Sequence, residues 1–150
     1  MTERDAPPLT TKEFLQQYKK AYYRLFHLDE QLYILRTKME SVRGVSQDYR
    51  VQTSPINKLE TSMEQLILRE QSQESERHTY AETMSRVREA ITEVSDEVSR
   101  TLLEYRYLDL LDWDQIANLM EKHPDHVKKR MHGEALLLVK IPRDVPTMSP

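Results

Sequence analysis

The sequence has no cysteine, only two glycines and no long apolar run. Without cysteine, disulfides and thiol chemistry are excluded. Strongly charged stretches with so little glycine favour helices over a sheet. No apolar run approaches the roughly 20 residues that a membrane-spanning helix needs, and residues 1–10, MTERDAPPLT, lack the core of a signal peptide. These absences predict an all-α, soluble, intracellular protein without membrane contact.

Groups that carry catalysis or bind metals are also scarce. His123, His126 and His132 lie close in sequence, but His126 and His132 are six residues apart and fall on different sides of a helix. No HExxH-like spacing accompanies them. A nucleophile–base–acid set and a glycine-rich phosphate loop are likewise missing. The sequence therefore predicts no enzyme, no metal and no cofactor.

Charge is unevenly distributed along the chain. The net charge is −3. Residues 55–98 carry five bases against ten acids, a net of −5, whereas residues 122–150 carry six bases against three acids, a net of +3. A basic segment within an acidic chain is either a chance feature of a solvated surface or the electrostatic footprint of a nucleic-acid contact.

A heptad pattern predicts a long first helix after a disordered tail at residues 1–10. Thr11 is its expected N-cap. Apolar residues then recur at alternating steps of four and three residues, the spacing of a coiled-coil seam. That seam comprises Phe14, Tyr18, Ala21, Leu25, Leu28, Leu32, Leu35, Met39 and Val42. A second apolar stripe comprises Leu15, Tyr22, Phe26 and Tyr33. It indicates either packing on two neighbouring helices or a dimer interface.

A second long helix is predicted after a loop at residues 44–54. Gly44 suits the position just beyond the first helix, and Ser54-Pro55 suits an N-cap followed by proline at the first helical position. The second seam turns polar at Glu70, Gln73 and Arg77. Unpaired burial of these side chains would be costly, so this section is expected to be loose, solvated or matched to another chain. Residues 11–95 thus form an antiparallel, coiled-coil-like hairpin and oligomerisation arm.

Residues 96–140 have the pattern of a three-helix, helix-turn-helix head. Ser95-Asp96-Glu97 precedes a helix from about 96 to 111. Asp112 is the expected N-cap of a helix with Trp113, Ile116, Ala117 and Met120 as its apolar face. A turn at residues 121–123 and a helix with Pro124 in its first turn follow. Residues 141–150 are expected to be a disordered tail.

Helical spacing of about 100° per residue divides the last helix into two sides. Val127, Met131, Ala135 and Leu138 should pack inward. In a helix-turn-helix the second helix enters the major groove of DNA, where its first turns contact bases and phosphates. The expected DNA-binding residues are Lys122, His123, Asp125, His126, Lys128, Lys129, Arg130 and His132.

Three tracts resemble a known family. LLEYRYLDLLDWDQIANLM at residues 102–120 is similar to the signature of the phage RinA/ArpU-like late transcription regulators, which themselves resemble region four of bacterial sigma factors. RVQTS at residues 50–54 and HGEAL at 132–136 resemble motifs of one branch of that group. The likeness covers roughly residues 12–140, with a departure at His123-Pro124 and in the spacing from Ile116 to the HG pair.

The resemblance implies a phage or prophage regulator acting in the bacterial cytoplasm on late or packaging genes. The expected partners are double-stranded DNA and a second copy of the chain, because dimerisation would pair two reading heads. Two alternatives stay open. One is a sigma-like factor whose main partner is host RNA polymerase, and the other is a small terminase-like subunit that recognises DNA for packaging.

Overall fold

The computed structural model describes residues 9–48 and 53–142, and the side chains of residues 9–41 and 62–142. These residues form helices and turns and contain no strand, which confirms the all-α prediction. The helices are α1 (Thr11–Asp48), α2 (Thr53–Thr92), α3 (Glu97–Leu103), α4 (Trp113–Met120), α5 (Pro124–His126) and α6 (His132–Leu137). Two π-helical turns, Glu104–Leu108 and Val127–Met131, continue α3 and join α5 to α6.

The ends of the long helices differ from the sequence-based bounds. The Thr10 hydroxyl accepts a hydrogen bond from the Glu13 N–H at 3.1 Å, so the N-cap is Thr10 and not Thr11. Helix α1 runs through Gly44 to Asp48, so an end at Gly44 is wrong. One glycine costs a helix about 1 kcal/mol, too little to stop a 38-residue element. Helix α2 begins at Thr53, which leaves Pro55 in the first turn, where proline is tolerated.

Some predictions lie outside the described residues. Residues 49–52 of the expected loop and the tails at 1–8 and 143–150 are among them. The same holds for the side chains of Val42, Ser54, Ile56 and Leu59, and hence for the ends of both seams nearest the loop.

The heptad seam of α1 is buried along its described length. Phe14, Tyr18, Ala21, Leu28, Leu32, Leu35 and Met39 are all buried, and Leu25 is half-buried. The period of 3.5 residues keeps a single stripe turned toward a partner helix. The seam is therefore confirmed from Phe14 to Met39.

Contacts divide the chain into two compact units, which we call the head unit and the arm unit. The head unit comprises residues 1–22 and 82–150, and the arm unit comprises residues 23–81. The sequence placed a boundary at 95/96 instead. The reason for the difference is that Phe14, Leu15, Val87 and Ile91, from the two long helices, are buried in the same cluster as the residues of α3, α4 and α6.

The polar section of the second seam is paired within the arm unit. Glu70 and Glu74 lie 3.5 Å and 2.8 Å from the Arg36 guanidinium. Arg77 donates to Asp29 at 2.6 Å. The Gln73 amide donates to that of Gln31 at 3.3 Å. The expectation of a solvated section is supported, because these ion-pairing side chains are 29–54% exposed. The alternatives of a loose section and of one matched to another chain are wrong, because polar and charged residues of α1 face these positions.

The first π turn shortens the helix that was expected to reach residue 111. The Asp109 N–H donates to the Glu104 carbonyl at 2.9 Å and closes the wide turn. Leu110 then has a φ of 59°, a left-handed conformation that does not continue a right-handed helix.

Asp96 caps α3 as predicted, with its carboxylate accepting from the Ser99 N–H at 3.0 Å. None of the described helices is long and apolar enough to cross a bilayer.

Candidate nucleic-acid interface

Helix α4 is held at its start by a reciprocal pair of hydrogen bonds. The Asp112 carboxylate accepts from the Gln115 N–H at 2.8 Å, and the Gln115 amide oxygen accepts from the Asp112 N–H at 3.0 Å. This capping box satisfies two N–H groups that would otherwise lack partners. Ile116 and Ala117 are buried in the core of the head unit. The predicted N-cap and apolar face of α4 are confirmed.

The turn between α4 and α5 occupies residues 121–123, as predicted. Glu121 has a φ of 56°, and the Lys122 N–H donates to the Ala117 carbonyl at 3.0 Å. This six-to-one bond is typical of a helix that ends in a left-handed residue. His123 then caps α5 through its Nδ1, which accepts from the Asp125 N–H at 3.2 Å, and Pro124 occupies the first helical position.

The segment after the turn, residues 124–137, is not a uniform α-helix. At the second π turn the His132 N–H donates to the Val127 carbonyl, five residues back. A π turn holds one more residue than an α turn, so it shifts the phase of every later side chain. The buried positions are Val127, His132, Ala135 and Val139, at steps of five, three and four residues.

This change of phase overturns two of the sequence-based assignments. Leu138 was expected to pack inward and is 48% exposed. His132 was expected to face DNA and is only 8% exposed. A projection at 100° per residue assumes α geometry throughout and therefore misplaces residues beyond the π turn. His132 is a residue of the core and is withdrawn from the DNA-binding set.

His132 is surrounded by aromatic rings and cations. Its Nε2 lies 2.6 Å from the Tyr107 hydroxyl, and its ring centroid is 4.6 Å from that of Trp113. Burial, together with the positive charges of Lys12 and Arg106, lowers the pKa of His132 from 6.5 to about 4. Burial also raises the pKa of Tyr107 to about 12. At neutral pH both side chains are therefore uncharged and share a buried hydrogen bond.

Arg106 fixes the other side of Trp113. Its guanidinium carbon lies 4.4 Å from the Trp113 ring centroid, a cation–π distance. The same guanidinium donates to the Leu111 carbonyl at 3.0 Å. Trp113 is thus held between Arg106 and His132 at the start of α4. Sequence reasoning treated Trp113 and Tyr107 as apolar positions of two helices and did not assign a role to Arg106, because the meeting of these residues depends on the two π turns.

The other residues of the predicted DNA-binding set are accessible. These are Lys122, His123, Asp125, His126, Lys128, Lys129 and Arg130. They occupy the turn and the first part of the 124–137 segment, around the one buried position, Val127. Arg130 also forms an exposed ion pair with Glu134 at 3.5 Å. An exposed cationic surface on a rigidly backed helix can contact phosphates and the acceptor edges of bases.

The predicted oligomerisation stripe is divided. Leu15 is fully buried in the core of the head unit, so its assignment to an interface is wrong. That core packs on a second side of α1 beyond the heptad seam. Tyr22, Phe26 and Tyr33 are 44%, 59% and 74% exposed and remain accessible for an interface.

Within the described residues, no group of three or more histidine, aspartate or glutamate side chains is placed to share a metal ion. Comparison with family models, with curated proteins and with solved structures found no match to this chain.

Proposed function

We propose that the protein is a transcriptional regulator that binds specific double-stranded DNA through residues 113–137. The observation that carries the proposal is the succession of α4, a three-residue turn that begins at the left-handed Glu121, and a capped second segment with an exposed cationic surface. Val127 and His132 pack this segment onto the head unit. The exposed lysines are then presented on a rigid support, which is what base recognition requires.

The biological setting of the proposal comes from the family resemblance of residues 102–120, 50–54 and 132–136. This resemblance supports a phage or prophage protein that acts in the cytoplasm of the bacterial host as an activator of late or packaging genes. In this setting two segments of opposite charge have different partners: cations of residues 122–150, net +3, contact DNA, whereas residues 55–98, net −5, carry the negative charge that suits a protein partner.

Dimerisation through α1 is part of the proposal. Phe26 and Tyr33 are large, exposed and seven residues apart on one helix, the spacing that places side chains on one stripe. Ile34 is also exposed and lines a shallow surface with them. We expect sedimentation to show a dimer of the full chain and Tyr33→Glu to shift it toward the monomer. Lys38→Glu, at an exposed site outside this surface, should leave the mass unchanged. A monomer at all concentrations would contradict this part.

The decisive test is selection of duplexes from a random library and from phage late-promoter fragments. We expect a recurring sequence motif. With that duplex, Lys129→Ala plus Arg130→Ala should weaken binding about 5- to 150-fold for each good contact that is lost, because such a contact contributes about 1–3 kcal/mol. Lys20→Ala, an exposed lysine on α1, should change affinity less than twofold. Recovery of no motif, with no binding at low salt, would refute the proposal.

A further inference from the structure

A surface pocket of about 230 Å³ lies in the head unit, where the start of α1 meets both π turns. Its volume is several times the roughly 30 Å³ that one water occupies in the liquid, so a group of a few heavy atoms fits. The residues that line it are Lys12, Gln16, Lys19, Arg106, Tyr107, Leu110, Trp113, Lys128 and His132.

The charge of this lining has one sign. Lys12, Lys19, Arg106 and Lys128 are cations, and none of the nine residues is a carboxylate. Lys12 and Lys19 share a face of α1 with Gln16, because steps of four and three residues return to one side of a helix. Among the described residues, no ion pair involves Lys12, Lys19 or Lys128. The pocket therefore concentrates positive charge that the described protein leaves uncompensated.

The neutral groups of the pocket respond to that charge. Lys12 and Arg106 both act to lower the pKa of His132, in addition to burial. Arg106 likewise opposes the burial that raises the pKa of Tyr107. Trp113, Tyr107 and His132 form an aromatic wall on one side of the pocket. Electrostatic attraction for an anion is stronger next to such a low-dielectric wall than in open solvent.

We propose that this pocket binds a phosphate group. Lys12 and Lys19 contact it from α1, Lys128 contacts it from the second π turn, and Arg106 supports it from the first. The lysines are flexible point charges suited to a phosphate. The proposal is independent of the proposed function, because the phosphate can belong either to a DNA backbone beside the groove-facing residues or to a free phosphorylated molecule.

Binding is tested first with inorganic phosphate and pyrophosphate on the full chain, at ionic strength held constant with sodium chloride. Trp113 is the only tryptophan and lines the pocket, so its fluorescence reports binding of the anion. The ³¹P line width of the ligand provides a second, independent measure of binding. We expect saturation by both anions, tighter for pyrophosphate. Lys12→Gln plus Lys19→Gln should raise the Kd about tenfold or more, as expected for lost charged contacts. Lys20→Gln and Lys12→Arg plus Lys19→Arg should change it less than threefold. No saturation by either readout, or equal Kd values in wild type and the glutamine variant, would overturn the proposal.

A second experiment uses the duplex obtained by selection to identify the source of the phosphate. If the phosphate belongs to DNA, pyrophosphate competes with the duplex, and the glutamine variant loses about two released counterions from the salt dependence of binding. If it belongs to a free molecule, duplex and pyrophosphate bind together and the variant keeps its DNA affinity. Failure to bind any duplex would refute the proposed function, while pyrophosphate saturation would still support the pocket.

Discussion

The head unit and the arm unit are stabilised in different ways. In the head unit, side chains from the long helices and from α3, α4 and α6 share one core in which Phe14, Leu103 and Ile116 are fully buried. In the arm unit, two helices pack along a single seam, flanked by exposed ion pairs such as Arg77–Asp29. Burial of apolar side chains contributes far more free energy than exposed ion pairs do.

The difference indicates which unit contributes most of the stability and which leaves apolar surface accessible to partners. Two helices can cover only one side of each other, so large side chains of the arm, including Phe26, Tyr33 and Leu68, stay exposed. The head unit surrounds its core from several directions, although Val98, Leu119 and Leu137 are exposed there as well. We therefore expect the head unit to dominate global stability and the arm unit to respond to salt and association.

The largest expected difference is between the only two phenylalanines, one in each unit. Phe14→Ala should reduce the free energy of unfolding by about 3–5 kcal/mol, because it opens a cavity in the core. Phe26→Ala is the matched control on the same helix and should cost less than about 1 kcal/mol at concentrations where the chain is monomeric. Urea unfolding measures both. Equal losses would contradict the comparison.

The head unit should also lose stability in mild acid because of His132. Its pKa in the folded state, about 4, lies below its ordinary value of 6.5, so unfolding takes up a proton between these values. The stabilising contribution is complete above about pH 7 and is lost as the pH falls toward 4. The free energy of unfolding should fall by about 2 kcal/mol more in wild type than in His132→Gln between pH 7 and pH 5.

His132→Gln is the appropriate reference because glutamine keeps a polar group near Tyr107 but does not titrate in this range. Carboxylates such as Asp96, whose pKa is lowered by its hydrogen bond with Ser99, contribute equally to both proteins. Parallel pH profiles of the two proteins would show that His132 is not held neutral by its surroundings.

A smaller effect is expected from the capping box of α4. Asp112→Ala should cost about 1 kcal/mol, the usual contribution of an N-cap side chain. Asp114→Ala removes an exposed acid two residues later and should cost about 0.3 kcal/mol, since only its interaction with the helix dipole is lost. Thermal unfolding of the two variants separates capping from charge. A larger loss of stability in Asp114→Ala than in Asp112→Ala would mean that charge near the helix end, and not the N-cap, stabilises the start of α4.

The smallest effect is expected in the arm unit. Arg77→Ala breaks an exposed pair with Asp29 and should cost about 0.5 kcal/mol, falling toward zero in 1 M salt. A double-mutant cycle with Asp29→Ala isolates the pair. A coupling energy above about 2 kcal/mol that persists in high salt would mean that ion pairs, and not the apolar seam, stabilise the arm.

Features that depend on local spacing were predictable from the sequence. The seam from Phe14 to Met39 follows a repeat that only a helix satisfies, and the caps at Asp96 and Asp112 follow from a short polar side chain before an apolar pattern. The turn at residues 121–123 and Pro124 at the first helical position follow for the same reason.

Features that depend on tertiary contacts were not predictable in this way. Leu15 could not be separated from the exposed stripe, because spacing along α1 does not reveal that the head packs on its second side. The partners of Glu70 and Arg77 required the register between α1 and α2. The pocket joins Lys12 and Arg106, residues far apart in sequence, and no local pattern indicates their proximity.

The second π turn has a consequence for sequence length. Because it accommodates one residue more than an α turn, a chain with a single deletion among residues 128–131 can form a regular helix and still place its final turns, with Ala135 and Val139, in the same core positions. The turn itself contains Lys128, Lys129 and Arg130, so such a deletion removes or reorients cationic side chains while this anchor stays in place. Changes of one residue in length would thus alter the exposed cationic side chains without unfolding the head, and under the proposed function they would change which DNA sequence is bound.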